Sequence, residues 1–384
     1  MNEFDFIRRL REQTRSHSAR LLKGIGDDAS VIGQSINRDL IATTDLLVED
    51  IDFHREAAPA RMLGYRALAV SLSDIAAMGG RPFWSLLSIG MPIEIWRDNF
   101  KDEFFGGYFA LADQYRVTLA GGDVSETKAG IVIDSIVLGE VANGKAVLRS
   151  GARPGDQIYV TGTLGGAAAG LKLIEMGARM GDSGLASPPR AGFRGTSLTV
   201  SEGSGTEPGA DRGPRAGSPR GVVDATGSAG RDPQSSEIRA IETLLLRQLR
   251  PDPRVGWGIV LGDERLATAM IDVSDGLSSD LTHLCEESRV GALIHSSSLP
   301  IDKDVSTLCG RRALDPLMLA LHGGEDFELL FTVRPEDVTR LPKKVDGVAI
   351  SHIGEVTNQP GSILVGEKNR VWGLQPGGFE HFKS

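Results

Sequence analysis

Cysteine is scarce in this 384-residue chain: Cys285 and Cys309 are the only two, and they form no close pair. Their scarcity argues against a disulfide framework or a cysteine metal site and fits a reducing compartment. No stretch approaches the roughly 18 apolar residues of a membrane span. The opening Met1-Asn-Glu-Phe-Asp-Phe-Ile-Arg-Arg-Leu10 mixes charges into an amphipathic helical pattern where a signal peptide would carry an apolar core. The expected location is therefore the cytoplasm, without a membrane partner. Positive charge is also short. Lys and Arg number 42 against 51 Asp and Glu, a net charge of -9, and no basic stripe follows from their distribution. This removes nucleic acid from the expected partners. Histidine contributes little: His54, His283, His322 and His352 show no ligand spacing and are read as structural. An acidic chain still binds polyphosphates where divalent cations reverse the local sign, so the carboxylates carry the question.

A chain of this length with 40% hydrophobic residues buries more than one mean-sized domain. Strand patterns at 28–31 and 40–44 precede a helical apolar repeat over 59–79, with Pro59 at its start and Gly79-Gly80 after its end. A second helix pattern covers 93–115, β-rich runs follow at 117–120 and 130–141, and Asn143-Gly144 signals a hairpin turn. The pattern restarts at Arg153-Pro-Gly-Asp156 with a strand from 157 that runs into a glycine turn and an Ala-rich helix, which places a domain boundary near 150. The two expected units are 1–150 and 151–384. Within the second, 27 of the 56 residues over 181–236 are Gly, Pro or Ser. Such a segment offers no core to offset its ordering entropy and reads as a disordered insertion. Helix (237–249), strand (268–272), helix (276–288), strand (291–295) and a strand at 328–333 resume an α/β alternation.

Two nucleotide motifs fail on chemistry. Gly24-Ile-Gly26-Asp27-Asp28-Ala29 fits G-x-G-x-x-A, but two carboxylates stand where a pyrophosphate would lie and a strand follows where a helix is needed. Gly139-Glu-Val-Ala-Asn-Gly144-Lys145 nearly makes a P-loop, yet Ala146 replaces the hydroxyl residue that would hold magnesium.

What remains is a recurrence of acids beside glycine or hydroxyl residues at the ends of expected strands. These are Gly26-Asp27-Asp28, Thr43-Thr44-Asp45, Ser73-Asp74, Gly121-Gly122-Asp123, Asp272-Val-Ser274-Asp275-Gly276 and Gly323-Gly324-Glu325-Asp326. Each alone is explained as a turn or a cap. Six together are not, because clustered carboxylates repel unless cations lie between them, and hard oxygen ligands suit Mg²⁺. Phosphoryl transfer is the chemistry that most often uses several Mg²⁺ ions.

At these residues the chain resembles the thiamine-monophosphate kinases. The segments beginning at Gly24, Thr43, Ala67, Arg149, Ile271 and Gly323 are similar to that family's motifs, in order, and the likeness spans all but 181–236. Aminoimidazole ribonucleotide synthetases and selenophosphate synthetases, of the same superfamily, share weaker versions. The resemblance implies a mixed α/β fold without a P-loop: an N-terminal domain that dimerises through its sheet, and a C-terminal α/β domain with ATP in the cleft between. It implies Mg²⁺ ligands at Asp28, Thr43, Thr44, Asp45, Asp74, Asp123, Asp272 and Asp275, and ATP contacts at Gly122, Asp123, Arg149 and Ser274. Thiamine monophosphate contacts fall on Asp52, Glu325 and Phe379. The implied reaction is direct in-line transfer from ATP with no covalent enzyme intermediate and no catalytic base, since a phosphate monoester is already ionised at neutral pH. Acids at the substrate end would favour the thiazolium cation.

Two other readings compete. A selenophosphate synthetase-like activity would use a reactive cysteine in a Gly-rich N-terminal segment, where this chain has none. A non-catalytic sensor of thiamine phosphates or nucleotides would tolerate loss of several of the carboxylates, all of which are retained.

Overall fold

The computed structural model describes residues 21–23, 27–33, 37–180, 186–187, 233–312, 314–359, 361–365 and 371–378. The N-terminal half comprises β1 (Leu21–Lys23), β2 (Ser30–Gly33), β3 (Arg38–Val48), α1 (Ala60–Ala77), β4 (Arg81–Met91), α2 (Ile93–Arg97), α3 (Phe100–Tyr115), β5 (Thr118–Glu126) and β6 (Val132–Ala142). Its six strands form one sheet in the order β1-β2-β3-β6-β4-β5, antiparallel except for the β4–β5 edge.

Helix α1 is apolar on almost every side and accordingly buried, from Leu63 to Ser73 and from Ile75 to Ala77. It lies against β3 and β6 on one side and α3 on another. Two glycines allow the helices to touch: a Cβ on Gly64 would stand 1.8 Å from the Phe104 carbonyl oxygen, and one on Gly107 would stand 1.7 Å from that of Arg61. The opposite face of the sheet leaves Leu46 and Trp84 more than half exposed.

The C-terminal half runs β7 (Gln157–Thr161), α4 (Gly166–Glu175), β8 (Arg179–Met180), β9 (Ala186–Ser187), α5 (Pro233–Leu249), α6 (Val255–Asp263), β10 (Ala267–Asp272) and α7 (Leu277–Ser288). It continues through β11 (Gly291–His295), α8 (Lys303–Arg312), α9 (Pro316–His322), β12 (Leu329–Val333), β13 (Lys344–Val345), β14 (Val348–Thr357), β15 (Gly361–Val365) and β16 (Val371–Gly373). Its large sheet has the order β10-β12-β7-β14-β11-β15-β16, with β13 added to β14. The hydrophobic core does not stop between the halves: Trp257 and Leu261 of α6, Met270, Leu329 and Phe331 join α1 in one buried cluster.

Mixed α/β is the observed class, but the alternation of elements does not make a parallel sheet. Among the described strands, only β4–β5 and β11–β15 pair in parallel. Three local expectations change. The helix expected over 93–115 is two, because Asp98 is extended and its carboxylate accepts the Asn99 amide at 2.8 Å, a local alternative to helical bonding. The Asn143-Gly144 pair makes a turn, closed by Lys145 N to Ala142 O at 2.9 Å, but not a hairpin. The chain after it leaves the sheet, and Val147 bonds Met78 and Leu148 bonds Met270 instead. The segment 181–236 lies mostly outside the described residues, and its last four, 233–236, are the first turn of α5, opened by Pro233 at a position that suits proline.

Candidate active site

Side chains alternate across a strand, so neighbouring Thr43 and Thr44 on β3 serve opposite faces. Thr43 faces α1: its hydroxyl donates to the Asp74 carboxylate and lies 3.3 Å from the Asp28 carbonyl oxygen. Thr44 turns the other way and donates to Asp134 Oδ1 at 2.6 Å. Asp45 faces α1 again and accepts from Ser71 Oγ at 2.7 Å. Two residues along the helix, Ser73 Oγ donates to Asp272 Oδ2 at 2.6 Å. The last turns of α1 thus pass between β3 and the end of β10, and oxygens of Asp28, Asp74 and Asp272 come within 4.8 Å of one another.

The cluster is electrostatically costly by itself. Burial, then the charge of Asp28, raises Asp272 to about 8. Burial raises Asp45 to about 6, with Asp134 adding to it. Asp74 is pushed well up by burial and then by Asp45, Asp272 and Asp28, and it sits in the last turn of α1, where the helix dipole disfavours an anion. Asp28 Oδ1 pairs with Arg149 Nη2 at 2.7 Å, whereas Asp28 Oδ2 is buried without a hydrogen-bond partner. Converging hard oxygens, an orphaned carboxylate oxygen and mutual repulsion are the donor set a divalent cation relieves.

A cavity of about 1000 Å³ opens beside this cluster, lined by Asp45, Asp52, Arg66, Ser274, Asp275 and Glu325 and by the apolar Phe53, Leu171 and Met318. Asp275 therefore faces the cavity. The N-cap of α7 is Gly276, so Asp275 stands one position before the cap. Asp52 Oδ2 accepts the Val48 amide at 2.8 Å, which folds the loop after β3. Glu325 adopts φ 67° and donates its amide to Ser274 O at 2.7 Å.

Not every acid of the sequence pattern joins. Thr43, Thr44, Asp45 and Asp123 lie within strands and Asp74 lies on a helix, so only Asp272 ends a strand as expected. Gly122 and Asp123 are exposed on edge strand β5, three inter-strand spacings from β3, about 14 Å. Asp123 is outside the Asp28–Asp74–Asp272 group. Gly122 also has a packing reason, since a Cβ there would stand 1.9 Å from Leu87 O. Asp326 points away and caps α4, accepting Gly165 N at 2.6 Å and Ala167 N at 3.0 Å. Phe379 lies outside the described residues, but the tail before it reaches the site: Gly378 N donates to Ser279 Oγ at 3.2 Å. His322, read as structural, bonds Ser278 through Nδ1 at 2.8 Å and also lines the cavity, as does His54.

Sequence reasoning missed several residues. Arg66 is 3% exposed on α1 and donates to Glu325, and Gln248 Nε2 donates to the other Glu325 oxygen. A lone charge in the otherwise uncharged stretch Leu63–Leu72 was the available signal for Arg66. Gln248 had none. Asp280 is buried and raised well above the carboxylate range by burial, then by Asp275 and Asp272, and it accepts Gly276 N at 3.0 Å.

This combination of two sheet domains with an acidic cluster and no P-loop defines a class. The AIR synthase related N-terminal domain matches residues 26–141 and the AIR synthase related C-terminal domain matches 252–367. Within that class the chain belongs to the thiamine-monophosphate kinase family. It is 32% identical to the thiamine-monophosphate kinase of Bacillus subtilis, covering 100% of both chains. Identity to that of Escherichia coli K12 is 34%, over 92% of this chain and 87% of the relative. The solved structure of AaThiL complexed with AMPPCP and TMP is similar with a TM-score of 0.75, 27% identity, and coverage of 99% and 97%. Both cysteines are buried and neither lines the cavity, which leaves a cysteine-dependent chemistry without its nucleophile.

Proposed function

We propose that this protein transfers the γ-phosphoryl group of ATP to thiamine monophosphate, yielding thiamine diphosphate and ADP. As a member of its family it is an ATP-dependent phosphotransferase whose acceptor carries a phosphate group. The observation that carries the reading is the meeting of Asp28, Asp74 and Asp272 near Asp45, which with Ser274 and Asp275 lines a cavity of ligand size.

Asp28, Asp74 and Asp272, with Thr43, Asp45 and Asp275, are the proposed Mg²⁺ ligands at this cluster; Thr44, on the other sheet face, and Asp123, on the edge strand, are proposed as ligands from the family resemblance alone. Magnesium bound there would neutralise charge on the phosphates. Gly122, Asp123, Arg149 and Ser274 are assigned to ATP, and Asp52, Glu325 and Phe379 to the acceptor. These groups bind and orient, and none needs to take a proton, because the attacking phosphate oxygen of the acceptor is already ionised. The bond to the γ-phosphorus forms in line with the one that breaks to ADP.

The same reading includes a two-domain chain divided near 150 and a cytoplasmic homodimer joined through the N-terminal sheet. Support comes from the separate strand sets before Ala142 and after Gln157, the exposed apolar sheet face, and the lack, among the described residues, of a helix able to cross a membrane. The test is incubation with ATP, Mg²⁺ and thiamine monophosphate, where thiamine diphosphate and ADP should form one for one and thiamine should be a poor acceptor. Equal turnover of thiamine, or diphosphate without ATP, would overturn the assignment.

A further inference from the structure

We infer that Arg66 is a positioning residue that fixes both sides of the acceptor pocket at once, and that Glu325 enters the pocket with its charge already neutralised. The inference rests on the acceptor assignment above for its kinetic meaning but not for its geometry. Arg66 stands on α1 with its guanidinium buried, and three groups from distant parts of the chain share it. Nη1 donates to Gln248 O at 2.9 Å, at the end of α5. Nη2 donates to Asp52 O at 3.2 Å, in the loop after β3, and to Glu325 Oε1. Gln248 Nε2 closes on Glu325 Oε2.

Each contact has a physical cause. A buried cation requires a bonded anion, and Glu325 is the carboxylate it has. Glu325 occupies a left-handed backbone conformation, which persists only where its surroundings over-determine it, and the clamp on both carboxylate oxygens does so. The planar fork of arginine reaches acceptors in two directions, which a lysine does not reproduce. Glu325 therefore offers a fixed, paired carboxylate in place of a free negative charge, and Asp52 spends one oxygen on Val48 N. Recognition of a cationic ring by these two acids is, on this geometry, a matter of placement more than of net charge.

Arg66→Gln and Arg66→Lys test this through hydrogen exchange and kinetics. In Arg66→Gln, amides of 49–57 and 323–327 should exchange about tenfold faster while β3 and the body of α1 keep their protection. The KM for thiamine monophosphate should rise about tenfold or more with that for ATP nearly unchanged. Arg66→Lys keeps the charge but not the fork, so it should restore 323–327 and leave 49–57 loose. Unchanged exchange in both segments, or loosening spread evenly over α1 and β3, overturns the inference. If Arg66→Gln does not fold, Gln248→Leu removes only the second clamp and should loosen 323–327 alone; no change there overturns it equally. Wild-type protein that makes no thiamine diphosphate would sink the functional reading, while the exchange pattern still decides the role of Arg66.

Discussion

At the scale of single residues, the acids separate by what they touch. Asp275 faces the cavity one residue before the N-cap Gly276, and asparagine keeps its hydrogen-bonding shape, so Asp275→Asn should leave the melting temperature nearly unchanged. Loss of its charge should weaken stabilisation of the transferring group by roughly 3 kcal/mol, about a hundredfold in kcat, partly recovered at high Mg²⁺. Steady-state kinetics across a magnesium series check this, and wild-type turnover would remove Asp275 from the site. The buried acids also make a pH prediction. Asp272, raised to about 8 by burial and then by Asp28, and Asp45, raised to about 6 by burial, hold protons more tightly when folded than when unfolded. Their contribution to stability is complete below the unfolded carboxyl value and is lost as pH rises through the folded values. Metal-free protein should therefore lose melting temperature between about pH 5 and 8, and Mg²⁺ should restore more at the upper end than the lower. A magnesium effect equal at both pH values would contradict the cluster. Of these residues, the identities of Asp28, Asp74 and Asp272 were legible from glycine and hydroxyl neighbours. That Asp123 stands apart on an edge strand was not, because strand order is set by pairings distant in sequence.

At the scale of elements, α1 carries most of the architecture. Its 3.6-residue repeat and its flanking Pro59 and Gly79-Gly80 were readable, and the observed Ala60–Ala77 agrees. Its partners were not readable, since contact with α3 depends on two glycines, Gly64 and Gly107, that read in sequence only as weak helix formers. Gly107→Ala should place a methyl where the Arg61 carbonyl lies, with no flexible side chain to give way. We expect a loss of about 3 kcal/mol, at the upper end for overpacking, visible as a lower denaturation midpoint without a change in slope. A midpoint within error of wild type would show that the two helices separate at little cost. The interrupted helix at Asp98-Asn99 failed as a sequence reading for another reason: apolar periodicity continues across it, and a single side-chain bond breaks the backbone pattern.

At the scale of the whole molecule, the face of the N-terminal sheet away from α1 presents Leu46 and Trp84 to solvent in the single chain. Exposed large apolar side chains on an uncovered sheet face are a surface another copy can cover. Light scattering should find twice the 41.0 kDa chain mass for the wild type, and Trp84→Asp should shift it to the monomer by placing a charge in the covered face. A wild-type monomer, or a Trp84→Asp dimer, would place the contact elsewhere or nowhere.

The amino-acid sequence by itself determined the class, the family likeness and the identity of the acids that meet in the cluster, because those rest on short motifs whose chemistry is local: an acid beside a glycine or a hydroxyl reads the same in any context. The tertiary structure alone decided which acids meet. Thr43 and Thr44 are neighbours in the chain yet face opposite sides of a sheet, Asp28 and Asp272 are far apart in the chain yet share a site, and Glu325 is held by an arginine from the other half of the molecule. These outcomes follow from strand pleat, strand order and helix packing, which are long-range properties that no window of sequence contains.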